Sequence, residues 1–438
     1  MNRLALAAAI VAAAGLAARA ETPAPFDALL AKALQGPAAQ EAKAQIDRSA
    51  AEADAARGDL LPQVGAGVTG WSLGRDPGLV IPRGAIGNPI PLPLVAAERR
   101  DYAAAVTAEQ LLWDGGKASR ALRAARLGLD AARLAADAVD EVVRFRTVVA
   151  VAEWDRSVAL SVAAAATVSD KQELVRQVEA LVKQEQAPQA DLLQAQAALA
   201  MARLEEADRA AELGRTRAAV ERLIGEPLPA DAVPAWPADL PPLPEGTVDE
   251  VAARAAEKRP APRAYAKIAE AQRAAASAAS AARLPEVKLK GMVQRLDDDY
   301  QLNKDNAELA LVAKVPIYTG GKLAAARAAR EADARRGDAQ AEQARREARE
   351  QVAAAWAEDG AAGARLAAAE AADSAAREAL RLAKLRYDNE LITARDLLSA
   401  EDDASHARQA VAAARTGRRA ARLAARIAAG EQPLPPRS

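Results

Sequence analysis

Leu112-Trp113-Asp114-Gly115-Gly116-Lys117 recurs 205 residues later as Ile317-Tyr318-Thr319-Gly320-Gly321-Lys322. Each copy follows a run that alternates apolar with small or polar residues, the two-residue period of a strand. Each precedes dozens of Ala, Leu, Arg and Glu residues without a proline, the composition of a long helix. Paired glycines at the join permit a sharp backbone turn where a Cβ would clash. The chain therefore passes from sheet to helix twice by one device.

Other landmarks keep the same spacing. Asp191-Leu192-Leu193 and Asp396-Leu397-Leu398 are again 205 apart, and Pro37 stands 25 before Pro62 as Pro260 stands 25 before Pro285. Landmarks in register imply an internal duplication. Trp154 and Trp356, 202 apart, fall about one helical turn out of step. Pro62 to Gly115 spans 53 residues and Pro285 to Gly320 only 35, and the extra 18 fall in the Gly/Pro-rich stretch 74–93. That stretch is expected to be a loop, where added length is tolerated.

The 438 residues are 51% hydrophobic but 3% aromatic, and the apolar content is mostly alanine. Alanine favours helix but buries little area, so long helices packed side by side suit this chain better than a compact core. A net charge of −1 with interspersed acids and bases offers no field for nucleic acid. Residues 1–20 read as a secretory signal: Arg3, an apolar stretch over 4–16, and Ala18-Arg19-Ala20 as a cleavage site near Ala20. There is no cysteine, which excludes disulfides, thiolate metal sites and a lipid-modified cysteine anchor. No later segment has the apolar length of a transmembrane helix, but a chain can also span a membrane as part of a β-barrel.

In order, residues 26–59 read as a helix stopped by Leu61-Pro62. Strands are expected over 64–73, 102–112, 287–296 and 308–315, the second pair joined by a short polar loop over 297–306. Val64, Ala66 and Val68 share one face, and Thr69 and Trp71 the other. Leu309, Leu311, Ala313 and Val315 oppose Glu308, Ala310, Val312 and Lys314 in the same way. Runs of about 8–11 residues cross a bilayer when tilted, and Trp71 and Tyr102 at one level, with Trp113 and Tyr318 at the other, resemble interfacial aromatic girdles. Four strands are too few to close a barrel, and a membrane tolerates no unpaired sheet edge. If these strands span, several identical chains share one barrel. Three would supply twelve strands, although the residues do not by themselves fix that number.

Residues 117–183 form a proline-free helix that would reach about 100 Å if continuous. Gln186-Ala187-Pro188 breaks it, and a return helix runs to Ile224-Gly225-Glu226-Pro227. Residues 228–246 are a proline-rich linker. Thr247-Val248-Asp249-Glu250 is a capping box that opens the next helix, which is broken at Arg259-Pro260 and ends at Leu284-Pro285. The second long helix extends over 322–387, turns near Asn389, and returns over 396–427. The tail 431–438 is expected to be loose. The domain organisation is thus a first repeat over 21–227, with a β-hairpin at about 64–112 and a helical hairpin at about 117–224. A second repeat over 247–430 has a β-hairpin at about 287–315 and a helical hairpin at about 322–428. Apolar residues at spacings of three and four along the helices indicate antiparallel coiled-coil packing.

Gly115-Gly116-Lys117 is not a phosphate loop, since the earlier glycine and the following Ser or Thr are missing. His406, the single histidine, lies on a charged helix face, and no triad, metal cluster or cofactor site can be built around it. The chain is not expected to be an enzyme. A soluble periplasmic coiled-coil scaffold or adaptor remains the alternative.

The duplication, the Leu61-Pro62 and Leu284-Pro285 helix-to-strand joins and the two Gly-Gly-Lys strand-to-helix joins come in a specific order. So do the segments Asp191-Leu192-Leu193-Gln194-Ala195-Gln196 and Asp396-Leu397-Leu398-Ser399-Ala400-Glu401. With them the chain resembles the TolC-like outer-membrane efflux proteins over nearly all of its mature length. The resemblance implies a mixed α/β membrane protein, a homotrimer whose four strands per chain make a twelve-stranded barrel in the Gram-negative outer membrane, continued by a helical periplasmic α-barrel. It implies an exit duct for drug efflux or type I secretion, set in outer-membrane lipid and docked through a periplasmic adaptor to an inner-membrane transporter. It places the tips that close the entrance at 183–191 and 387–396, with Asp191 and Asp396 beginning the return helices. Tyr387 would help hold the entrance shut and Asp396 would line it. Two features depart from the family: Glu185 and Glu390 stand where glycine is usual, implying a different tip backbone, and Ser399 replaces an acid.

Overall fold

A computed structural model describes residues 22–434 apart from 73–77, 96–99, 187, 238, 297–304 and 390. The expected signal 1–20, most of the polar loop 297–306, Glu390 and the last four residues lie outside the described part.

The chain is mostly helical. Strand β1 (Thr22–Pro25) leads into α1 (Phe26–Ala33) and α2 (Pro37–Gly58). The single helix expected over 26–59 is therefore two, because Pro37 opens the second, where its fixed φ suits the first helical position. Next come β2 (Gln63–Ser72), β3 (Gly78–Ile81), β4 (Leu92–Val95) and β5 (Arg100–Trp113). Helices α3 (Lys117–Lys183) and α4 (Gln189–Ile224) form the first long hairpin. Strand β6 (Ala232–Ala235), α5 (Val248–Lys258), α6 (Pro260–Ala281), β7 (Glu286–Leu296) and β8 (Asp305–Lys314) follow. Helices α7 (Lys322–Asp388) and α8 (Ala394–Ala428) form the second hairpin, and α3 and α7 are each 67 residues long. Among the described residues no helix is long and apolar enough to cross a membrane.

Two compact units divide the chain. The unit made of Ala44–Leu134 and Arg263–Ala341 holds an antiparallel sheet in the order β2-β5-β7-β8. Gln63 of β2 pairs with Glu109 of β5, and Glu286 of β7 pairs with Lys314 of β8. The shift that carries Pro62 to Pro285 carries Gln63 to Glu286, and the shift that carries Gly115 to Gly320 carries Glu109 to Lys314. The two hairpins therefore share one hydrogen-bond register. Strands β2 and β8 are the sheet's edges. The stretch 74–93, expected to be a loop, instead carries a second hairpin, in which Val80 pairs with Pro93 and Ile81 with Leu92. Its turn is organised by Asn88, whose Nδ2 donates to the Pro82 carbonyl at 3.3 Å and whose Oδ1 accepts from the Ile86 N–H at 3.3 Å. Proline does not prevent this pairing, since a two-stranded ribbon has free edges.

The other unit comprises Met1–Lys43, Ala135–Pro262 and Glu342–Ser438. Its largest core cluster joins Phe26, Val148, Val151, Trp154, Val220, Leu423 and Ile427, all buried. Strand β1 pairs in parallel with β6, which docks the proline-rich linker, and Trp236 of the linker stacks on Phe26 with ring centroids 5.0 Å apart. The tail is not loose as far as it is described: Pro433 is fully buried and Leu434 packs on the same cluster. Alanines fill many buried helix positions, letting helices approach closely at the expense of area buried per residue.

Candidate functional site: the sheet faces and the helical tips

Directly paired residues on neighbouring strands share a face, so the register sorts every side chain of the sheet. Val64, Ala66 and Val68 of β2 align with Ala108, Val106 and Ala104 of β5. Val106 aligns in turn with Val293 of β7, Leu289 with Leu311 of β8, and Gly291 with Leu309. One face is thus almost wholly aliphatic, and it is open: Val68 and Leu309 are each 76% exposed. On the opposite face Glu109 aligns with Lys290, Thr107 with Met292 and Met292 with Glu308. Charges there pair with one another, Glu109 with Lys290 and Lys288 with Glu286 at 2.7 Å. Near the hairpin ends Arg295 and Asp305 form an ion pair at 3.6 Å on the aliphatic side.

The register shifts between Leu111 and Trp113, which brings Trp113 opposite Val287. This bulge turns Trp113 onto the aliphatic face. Tyr102, opposite Gly70, lies on that face as well, but Trp71, opposite Asp101, lies on the polar one. The expected upper girdle of Trp71 with Tyr102 is therefore divided between the faces, since strand neighbours alternate.

The joins lie where the sequence repeats. Gly115 and Gly116 have φ of 67° and 80°, and Gly320 and Gly321 have 60° and 80°. Asp114 closes the first join: its carboxylate accepts from the Gly116 N–H at 2.9 Å and the Ala118 N–H at 2.6 Å. A Cβ at Gly115 would run into Leu284, the residue before Pro285, whereas one at Gly320 would meet nothing within 4 Å. Pro62 and Pro285 directly precede β2 and β7.

At the tip of the first hairpin Glu185 has φ of 60°, the one non-glycine residue with positive φ among those described. The Glu185 N–H donates to the Val182 carbonyl at 3.0 Å and the Gln186 N–H to the Leu181 carbonyl at 2.9 Å, the bond pair of a left-handed helix cap. The second tip repeats the longer bond, from the Leu391 N–H to the Arg386 carbonyl at 2.8 Å. At this tip glutamate adopts a left-handed conformation that glycine takes more readily. Leu174, Val178, Leu192, Ala195 and Leu397 form a buried cluster above the tips, and Tyr387 and Val182 pack against it. Helix α4 begins at Gln189, two residues before the expected start, and Asp191 lies in its first turn, its N–H donating to the Pro188 carbonyl at 3.0 Å.

Asp396 has a structural duty that the sequence reading missed. Its Oδ2 accepts from the Thr393 N–H at 3.1 Å and the Thr393 hydroxyl at 2.8 Å, while its own N–H donates to Thr393 Oγ1 at 3.3 Å. The Thr393 hydroxyl, then its backbone N–H, hold the Asp396 carboxyl below its ordinary range. The signal was present as Thr393-x-x-Asp396, a capping box with aspartate in place of glutamate. Also missed was a buried polar layer between α3 and α8. Lys171, 3% exposed, lies 3.3 Å from Glu401 and 2.8 Å from Asp402, and Thr167 shares a 2.8 Å hydrogen bond with Ser405. Burial pushes the Glu401 carboxyl up, and Lys171 offsets part of that rise.

A sheet aliphatic on one face and charged on the other, joined twice through paired glycines to 67-residue helices, defines the class of duplicated outer-membrane channels with helical barrels. The chain belongs to the outer membrane efflux protein family, whose pattern matches residues 29–226 and 251–431. Members of that family are channels, not enzymes. Among solved structures, the fold is similar to the CmeC outer membrane channel of Campylobacter jejuni, with a TM-score of 0.77, 15% identity and coverage of 92% of this chain and 85% of that one. It is similar to the outer membrane protein VceC of Vibrio cholerae, with a TM-score of 0.74, 20% identity and coverage of 93% and 97%. It is also similar to CusC, described in terms of folding and transmembrane channel formation, with a TM-score of 0.76, 18% identity and coverage of 93% and 92%. No curated protein sequence matches the chain.

Proposed function

We propose that this protein is the outer-membrane exit duct of a tripartite efflux pump or type I secretion system. Three copies place their strands in one twelve-stranded barrel, with the aliphatic face toward lipid and the charged face toward a water-filled lumen. The helical hairpins continue the duct into the periplasm, where an adaptor couples it to an inner-membrane transporter. Tyr387, Asp191 and Asp396 stand at the periplasmic entrance in this reading. The carrying observation is the sidedness of the sheet: exposed Val64, Val68, Val106, Leu309 and Leu311 all lie on one face. A soluble periplasmic scaffold would leave that face in water, an exposed apolar patch that such proteins avoid.

Fractionation of cells and single-channel recording test the proposal together. Recovery in the outer membrane as an oligomer that conducts in planar bilayers is expected. Recovery as a periplasmic monomer without conductance would remove the channel reading in favour of the scaffold.

A further inference from the structure

The seam between β5 and β7 is where the first repeat meets the second within one chain. It has two components: a ladder in which Glu109 lies opposite Lys290 and Ala108 opposite Gly291, and a seat in which Leu284 packs against Gly115. The same half-surfaces recur at the sheet's two outer margins, β8 and Gly320 in the second repeat and β2 and Leu61 in the first, without a partner among the described residues. β8 and β2 are the two edges of the sheet. Gly320, the counterpart of Gly115, faces open space. Leu61, the counterpart of Leu284, is 53% exposed, and Ile317 and Tyr318 are 96% and 89% exposed.

We propose that a second copy of the chain completes this seam in one defined register, its β2 antiparallel to β8 with Lys314 opposite Gly67 of the second copy, and its Leu61 seated on Gly320. The proposal rests on the shared-barrel reading above and adds the atomic register and the residue that closes each joint. The register is obtained by moving the internal seam by the two repeat offsets: Glu109 to Lys314 and Lys290 to Gly67, and likewise Ala108 to Ala313 and Gly291 to Val68. Because both hairpins share one register under these offsets, the same offsets apply at the seam between copies.

Sidedness gives an independent check. In this register Ala313 meets Val68 and Leu311 meets Gly70, so the aliphatic face runs on unbroken across the joint. Lys314 and Gly67 both belong to the polar face. A slip of one residue would turn one copy's aliphatic face into the lumen. Slips of two residues preserve sidedness, and they are the alternatives an experiment must separate. They would also carry Leu61 off Gly320 by about 6–7 Å.

The chain has no cysteine, so engineered thiols report without background. Opposed residues on antiparallel strands lie about 4.5–5.5 Å apart at Cα, within disulfide range. The double variant Lys314→Cys with Gly67→Cys is oxidised in outer-membrane preparations and read on non-reducing gels. Lys314→Cys with Gly65→Cys and Lys314→Cys with Thr69→Cys represent the two slips. Ala313→Cys with Val68→Cys reads the proposed register on the opposite face and spares the glycine. Covalent dimers and trimers from the two in-register pairs, and their loss in the slipped pairs, are expected. Cross-links from a slipped pair but not from the in-register pairs would overturn the register while leaving an assembled channel. An assembled oligomer that no pair cross-links would overturn the seam itself. A soluble monomer from the unsubstituted chain would overturn both the seam and the channel reading.

Discussion

At Glu185 the backbone turns through a φ of 60°, a conformation that costs an L-residue about 1–2 kcal/mol. The cost is imposed by the hydrogen bonds at Val182 and Leu181 that end α3, since no glycine is present to meet them cheaply. Glu185→Gly removes that strain but adds unfolded-state entropy of about 0.5–1 kcal/mol. A net gain of roughly 0.5–1 kcal/mol is expected, read as a higher thermal midpoint and slower hydrogen exchange at Gln186. Glu185→Ala keeps the strain and should leave both unchanged. At this scale the glycine joins were legible, because Gly115 and Gly320 are cheap where φ is positive. Glu185 was not, because its identity argues against the conformation that the neighbouring bonds require. Thr393 and Asp396 were legible in principle, but an aspartate at the third helical position was read only as a lining acid.

Between elements, the layer of Lys171, Glu401 and Asp402 fixes how α8 sits against α3. Lys171 stands in the three-four stripe of Ala164, Val168, Val175 and Val178, so a charged residue occupies a core position. A buried pair adds little net stability, but breaking it leaves an uncompensated charge. Lys171→Ala should cost about 3–5 kcal/mol, and Lys171→Met combined with Glu401→Gln should recover most of it. Burial holds the Glu401 carboxyl above its ordinary range, so the folded state binds that proton at higher pH than the unfolded chain does. Stability from this group rises as pH falls through the raised value and is complete below the ordinary one. Glu401→Gln mimics the protonated form and leaves Lys171 paired with Asp402 at 2.8 Å, so it should be at least as stable as the parent at neutral pH, with the difference shrinking toward pH 5. Thermal denaturation across that range checks the sign. Strand and helix existence was readable from period and proline placement. The hairpin of β3 and β4 was not, because Gly and Pro dominate the composition of 74–93 while pairing is decided by Val80, Ile81 and Leu92 around the Asn88 turn.

For the whole molecule, the two sheet faces predict opposite tolerance at adjacent residues. Leu309→Arg places a cation on the aliphatic face, which costs about 2–4 kcal/mol at bilayer mid-depth. Glu308→Arg, on the polar face, alters charge in water and should leave assembly intact while changing conductance. The fraction recovered as oligomer in the outer membrane separates the two, and equal losses would deny the sheet its sidedness. The duplication was legible because both repeats keep their joins at fixed spacing. Subunit number was not, because residues define an edge without saying how many copies the proposed barrel would need. The docking of the tail through Pro433 and of the linker through Trp236 was hidden as well, since proline-rich composition reads as slack until a groove receives it.

The bare margins of β2 and β8 also bear on biogenesis. A newly made chain carries two unsatisfied rows of peptide groups beside an oily surface, which makes it adhesive toward any stray strand. Under the proposed shared barrel, delivery has to outpace that stickiness, and the supply of sister chains is expected to limit the yield. A substitution that leaves the finished duct untouched can still abolish it by lengthening the solitary interval.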